Sequence, residues 1–215
     1  MNKQWKKGWQ KAETYPFWYS KQWKEGRDGG GKEIFLFLQK EIVNKEKTCG
    51  ETLVKGIPLI YQGQFYFLKK GHRRGFLRKT WESFFSPSFW KWIPYYHELE
   101  KLDLKFPMPI GFGWLENSPI LLTTFLQGEN LWDLMEEQKL ELVLTDSFFS
   151  LLGAQIGEFH KKGFLHGDLK PANLLVHSQE KRWRIAVVDL DNLKKRRFYS
   201  LFLGAKDLEN FIRYG

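Results

Sequence analysis

The stretch "FLHGDLKPANLLV", Phe164 to Val176, sets a His, an Asp, a Lys and an Asn within eight residues between two apolar runs. Polar groups hemmed in by core-forming residues need partners, because a buried donor or acceptor left unpaired costs about 1–3 kcal/mol. Such a segment is a turn or a site. Pro171 keeps it out of helical geometry, and Leu174 to Val176 then start a strand. A loop, HSQEKR, separates that strand from "WRIAVVD", which reads as its partner. A hairpin brings its end back to its beginning. Asp189, at the end of the second strand, is therefore expected beside Asn173, at the start of the first. The spacing predicts three oxygen-bearing side chains, Asp168, Asn173 and Asp189, around one point.

A small set of oxygen ligands suits Mg²⁺, which keeps several waters and is usually shared with substrate phosphates. Asn173 and Asp189 are the candidate metal ligands. Asp168 would face an acceptor hydroxyl and take its proton, and Lys170 would reach the transferring phosphoryl group. A nucleotide needs a further cation. "YFLKK" (66–70) ends a strand, and Lys69 follows its apolar run on the same face as Phe67, in the form of the strand lysine that pairs with phosphates. Each piece has a plainer explanation: a lysine at a strand end is usually solvated, Asp189 alone could close a turn, and His166 is read as a hydrogen-bonded structural histidine. The order carries the argument: strand Lys, helix, apolar strand, long helix, H-x-D-x-x-x-x-N, then a hairpin to D-x-D.

The rest of the chain supplies a frame for these groups. It has 215 residues, 42% of them hydrophobic and 17% aromatic, enough for a packed core in one domain or two small lobes. A net charge of +9 favours an anionic partner without choosing among nucleic acid, phospholipid, nucleotide and phosphorylated glycan. The single cysteine, Cys49, excludes an internal disulfide and a cysteine metal cluster. The charged N-terminus does not read as a secretory signal, and no stretch approaches the roughly 20 apolar residues of a membrane span.

Residues 1–33 form a basic, Trp-rich arm that ends in three glycines, Gly29 to Gly31. It reads as a loosely packed arm, as an interfacial anchor or as a stacking surface for nucleic acid. "EIFLFLQKEIV" is strand or short helix. "IPLIYQGQFYFLKK" is a hairpin turning at Gln62-Gly63. "YYHELEKLDL" (95–104) reads as a helix, "FPMPIGFGW" as extended and "PILLTTFL" as a buried strand. "QGENLWDLMEEQ" turns into a helix. A long amphipathic helix follows, capped by Thr145 or Asp146 and ended by Gly163, and "LGAKDLENFIRYG" is a last helix. The plan is an arm (1–33), a strand-rich lobe (34–126) and a helix-rich lobe (127–215).

"HGDLKPANLLV" resembles the catalytic loop H-R-D-x-x-x-x-N of the protein-kinase-like superfamily, and "VVDLD" resembles its metal-binding D-F-G segment. "LLTTFLQGENLWDLM" resembles the hinge and first helix of the second lobe. Gly167 replaces the usual Arg, Leu190-Asp191 replaces Phe-Gly, and 24 residues follow Asp191. With no room for a peptide-binding half, the chain resembles the lipopolysaccharide kinase family of Kdo (3-deoxy-D-manno-octulosonic acid) and heptose kinases. "FLKKGHRRGFLRK", the P-x-P of "FPMPIGFGW", "DLDNLKKRRF" and "AKDLENFIR" carry that likeness, although Asn192 stands where an Arg is usual.

The resemblance implies an α+β, two-lobed protein-kinase-like fold. An antiparallel-sheet N-lobe would carry one main helix, and the helical C-lobe would be truncated. It implies ATP and Mg²⁺ as cofactors, and a bacterial enzyme that phosphorylates an inner-core sugar hydroxyl of a lipid A–Kdo type glycan. Such an enzyme would sit peripherally on the anionic inner face of the inner membrane and bind no nucleic acid. Asp168 would be the base, Asn173 and Asp189 the metal ligands and Lys69 the phosphate lysine, with Thr124 and Leu126 at the nucleotide-binding hinge. Glu98 is the candidate partner of Lys69, although helical spacing favours Tyr95, and only Gly50 and Gly56 stand where a Gly-rich loop is expected. A compact atypical Ser/Thr protein kinase, a small-molecule phosphotransferase of the choline or aminoglycoside kind and a pseudokinase binding module are the competing readings.

Overall fold

A computed structural model describes residues 9–11, 17–20, 33–41, 57–71, 87–115, 118–136, 145–179, 182–198 and 200–214. Two compact units emerge. The first comprises Met1–Trp90 and Met108–Phe125, the second Lys91–Pro107 and Leu126–Gly215. The run 95–104, read from the sequence as part of the first lobe, thus belongs to the second unit.

The first unit is a six-stranded antiparallel sheet: β1 (Trp9–Lys11), β2 (Phe17–Ser20), β3 (Ile57–Tyr61), β4 (Gln64–Lys70), β5 (Pro109–Leu115) and β6 (Ser118–Thr124), in the order β1-β2-β5-β6-β4-β3. The predicted hairpin is present. Gln62 and Gly63 both have positive φ, +50° and +73°, the two left-handed residues of the turn type whose twist matches flanking strands. Residues 33–41 form helix α1, which settles the strand-or-helix ambiguity. Ile34, Phe35 and Leu38 recur at helical spacing and pack with Phe17, Tyr19, Leu59, Tyr66, Leu68, Ile110, Ile120 and Leu122. Each fully buried side chain of this size contributes about 1.5–3 kcal/mol.

The loose-arm reading fails for the two short segments described. β1 and β2 extend the sheet, Trp18 stacks on Phe112 at 5.7 Å, and Trp9 meets the same ring edge-on at 4.9 Å. Trp5, Trp23, Gly29–Gly31, Cys49, Gly50, Gly56 and most of the basic run 69–79 lie outside the described residues.

The second unit contains α2 (Tyr96–Leu99), β7 (Glu129–Asn130), α3 (Leu131–Glu136), α4 (Asp146–Lys161), β8 (Phe164–Leu165), β9 (Leu174–Gln179), β10 (Arg182–Val187), β11 (Lys194–Lys195) and α5 (Leu201–Tyr214). Thr145 caps α4, its Oγ1 accepting from Phe148 N. Phe148, Leu152, Ile156 and Phe159 form the buried stripe of α4, and Phe159 stacks between Phe106 at 6.0 Å and Phe164 at 5.5 Å. Two expectations change. The helix over 95–104 shrinks to one turn, because Lys105 is drawn into a bridge with β10: its N–H donates to Ile185 O and its carbonyl accepts from Val187 N. The hairpin loop is shorter than HSQEKR, because pairing continues from Val187↔Leu174 out to Arg182↔Gln179.

Candidate active site

Short strand β8 delivers the chain from α4 into the loop His166–Asn173. β8 pairs with β11, and β9 lies between β10 and β7. The loop itself has no repeating backbone ladder, so each polar group in it must find its own partner.

His166 is fully buried and uses both ring nitrogens. Nε2 lies 3.0 Å from Val188 O and Nδ1 lies 3.3 Å from Asp168 N. A carbonyl must receive a proton and an amide must give one, so we assign the neutral tautomer with the proton on Nε2. Burial pushes its pKa below 6.5, outweighing the Val188 carbonyl and the nearby Asp207, Asp189 and Asp168, which all favour the cation. His166 is a structural histidine, as the sequence suggested.

Asp168 is half-buried. Its Oδ2 accepts from Lys170 Nζ at 2.9 Å and from Asn173 Nδ2 at 3.3 Å, and its carbonyl accepts from the same Asn173 nitrogen at 2.8 Å. These bonds fix the carboxylate rotamer and tie the two ends of the loop together. Both of Asn173's bonds use its amide nitrogen, which leaves Oδ1 to serve a cation. The predicted closeness of Asn173 and the second strand's end is observed: Val188 N donates to Asn173 O at 3.0 Å, with Asp189 next in the chain. Asp189 is exposed and left-handed (φ 58°, ψ 53°), a conformation costing a non-glycine residue about 1–2 kcal/mol. The donor set, one amide oxygen and one carboxylate, fits a hard cation that keeps several waters.

Gly167, which stands where many protein kinases have an Arg, has a local cause. Its φ is +81°, and a Cβ there would stand 2.7 Å from the Asn192 carbonyl oxygen and 2.9 Å from the Asn192 Cβ. The two departures, Gly167 and Asn192, fill one space.

Two supporting residues, Asp207 and Asn130, escaped the sequence reading. Asp207, on α5, accepts from His166 N (2.8 Å) and Gly167 N (2.6 Å), and its Oδ2 lies 3.0 Å from His160 Nε2. Burial alone would raise its pKa, but these three donors hold it below the usual 3.8. Its signal was legible: an acid on the stripe Gly204, Asp207, Leu208, Phe211 of an amphipathic helix. Asn130 caps α3, accepting from Trp132 N at 2.9 Å, and its Nδ2 donates to Ala172 O at 2.7 Å.

Asp168, Lys170, Asn173 and Asp189 are thus gathered in the second unit. Lys69 and Thr124 lie on the paired strands β4 and β6 of the first. Thr124 N donates to Met108 O at 2.9 Å, and its Oγ1 accepts from Met108 N at 2.9 Å. Leu126 is half-buried where the second unit resumes. Glu98, the candidate partner of Lys69, accepts instead from Lys195 Nζ at 2.8 Å. Lys195 arrives on β11, also donates to Lys162 O (2.6 Å) and covers the Phe164 ring at 3.9 Å.

Residues 57–214 match the family model described as "Lipopolysaccharide kinase (Kdo/WaaP) family". A solved structure, "WaaP in complex with acyl carrier protein", superposes with a TM-score of 0.51 at 15% identity, covering 75% of this chain and 67% of that one. No curated protein matches. The solved structure shares the mixed α+β kinase-like fold, and the family match spans most of the sequence: the chain belongs to the lipopolysaccharide kinase (Kdo/WaaP) family.

Proposed function

We propose that the chain transfers the γ-phosphoryl group of ATP to a hydroxyl of an inner-core sugar, Kdo or heptose, of a lipid-anchored glycan at the cytoplasmic membrane face. Membership of a lipopolysaccharide kinase family supports phosphotransfer to lipopolysaccharide and implies ATP use. The observation that carries the reading of Asp168 as the base of that transfer is its carboxylate, oriented by Lys170 and Asn173.

The acceptor oxygen attacks the γ-phosphorus, the bond from that phosphorus to the bridging oxygen of ADP breaks, and the hydroxyl proton passes to Asp168. Lys170, already paired with Asp168, neutralises charge on the transferring group. Lys69 takes phosphate oxygens, and the Thr124–Leu126 stretch receives the nucleobase. Asn173 and Asp189 would hold Mg²⁺, which supplies charge neutralisation for the phosphates. Mass spectrometry and phosphorus NMR of inner-core lipopolysaccharide treated with the enzyme and Mg-ATP test this reading. A new phosphomonoester on Kdo or heptose is expected. Preferential labelling of a protein acceptor would overturn it.

A further inference from the structure

After the D-x-D turn the chain runs Lys194, Lys195, Arg196, Arg197, and no acidic residue occurs between Asp191 and Asp207. Lys195 is the anchor described above; Lys194, Arg196 and Arg197 are exposed. The character then reverses. Phe198 is 75% exposed, Leu201 77% and Phe202 75%, and Arg197 Cζ lies 5.4 Å from the Phe198 ring. The outward face of α5 repeats the mixture. Phe202, Ala205, Lys206, Glu209, Ile212 and Arg213 are exposed, Ile212 at 77%, and the single acid is paired with Arg213 at 2.6 Å. Neither the catalytic loop nor the core uses these side chains.

A run of one sign beside exposed aromatic and aliphatic residues, continued by a helix with an apolar and basic outer face, has the composition of an interfacial element. We propose that residues 194–198, Leu201, Phe202 and the outer face of α5 form a contact surface for an anionic phospholipid bilayer. The exposed cations meet lipid phosphates, and Phe198, Leu201 and Phe202 enter the boundary between headgroups and acyl chains. The inference rests on the lipid-anchored acceptor proposed above and adds where the enzyme meets the membrane. The surface is tied to the chemistry by short paths: β11 pairs with β8, Arg196 N donates to Gly163 O at 2.7 Å, and His166 follows β8 directly. A bilayer held there has a fixed relation to Asp168 within the second unit.

The full chain is floated with phosphatidylcholine vesicles, with and without phosphatidylglycerol. The wild type is compared with Arg196→Ala/Arg197→Ala and with Phe198→Ser/Phe202→Ser, and thermal unfolding confirms that the variants fold. Binding is expected only with phosphatidylglycerol. The charge pair should weaken it about 30-fold at low salt, and the apolar pair should weaken it while leaving its salt dependence. Transfer to deacylated, water-soluble lipopolysaccharide should be unchanged in both, while transfer to vesicle-borne lipopolysaccharide falls with binding. Variants that float like the wild type overturn the proposal. So does a wild type that ignores the vesicles but binds polyglutamate, which would make this a protein-docking surface. A wild type that floats yet phosphorylates neither acceptor supports the surface and removes the kinase reading beneath it.

Discussion

Strand β4 and the loop His166–Asn173 each present a lysine proposed to meet phosphate, and they are built on opposite terms. β4 is periodic: Tyr66 and Leu68 are buried, Phe65 and Phe67 face out, and neighbours on both sides fix its register. The loop has no period. Its shape depends on single donors and acceptors far away in sequence, on Asp207, Val188 and Asn130. A periodic element is sensitive to volume on one face and tolerant on the other. The loop is tolerant of little that removes a hydrogen bond.

The sharpest break between function and stability falls at Asp168. Asp168→Asn keeps the size and removes the base, so kcat should fall about 10²–10⁴-fold with the melting temperature nearly unchanged. A matching loss of stability would mean that the carboxylate is structural. Asp207 should behave in the opposite way. Its side chain is 3% exposed and receives bonds from two loop amides and His160, so Asp207→Ala should cost about 3–5 kcal/mol in urea denaturation.

Within β4 the two faces should separate cleanly. Leu68→Ala should cost about 2–5 kcal/mol, and Phe67→Ala within about 1 kcal/mol of nothing. Equal costs would refute the alternation. Asn130→Ala removes a helix cap and a bond to Ala172 and should cost about 1–2 kcal/mol, accompanied by faster amide exchange around Ala172.

The smallest effect is a pH slope. His166's folded pKa lies below 6.5, so the unfolded chain takes up its proton first as pH falls, and the native state loses stability below about 6.5. Asp207's folded pKa lies below 3.8, so the stability it confers above that value is lost as pH falls further. The melting temperature should therefore decline with acidification in both windows. His166→Gln should flatten the upper one.

The loop's chemistry was legible because it is local. H-x-D-x-x-x-x-N and the following hairpin are short-range patterns, and the bond from Val188 to Asn173 closes as the spacing predicts. What was not legible is what reaches the loop from elsewhere. Asp207 lies 41 residues from His166, and a helical stripe announces that an acid is buried but not what it holds. The one-turn α2 has the same explanation: local spacing favoured a longer helix, and the bridge from Lys105 to β10 overrode it. Glu98 shows a third limit, since choosing between Lys69 and Lys195 as its partner requires the position of β11.

The central claim, phosphoryl transfer with Asp168 as base, is tested most directly by following labelled γ-phosphate from Mg-ATP into purified inner-core lipopolysaccharide with the wild type and Asp168→Asn. Label in the glycolipid that disappears in a variant still able to bind ATP is the predicted result. Equal labelling by the two proteins, or label that enters protein and spares the glycolipid, would contradict it.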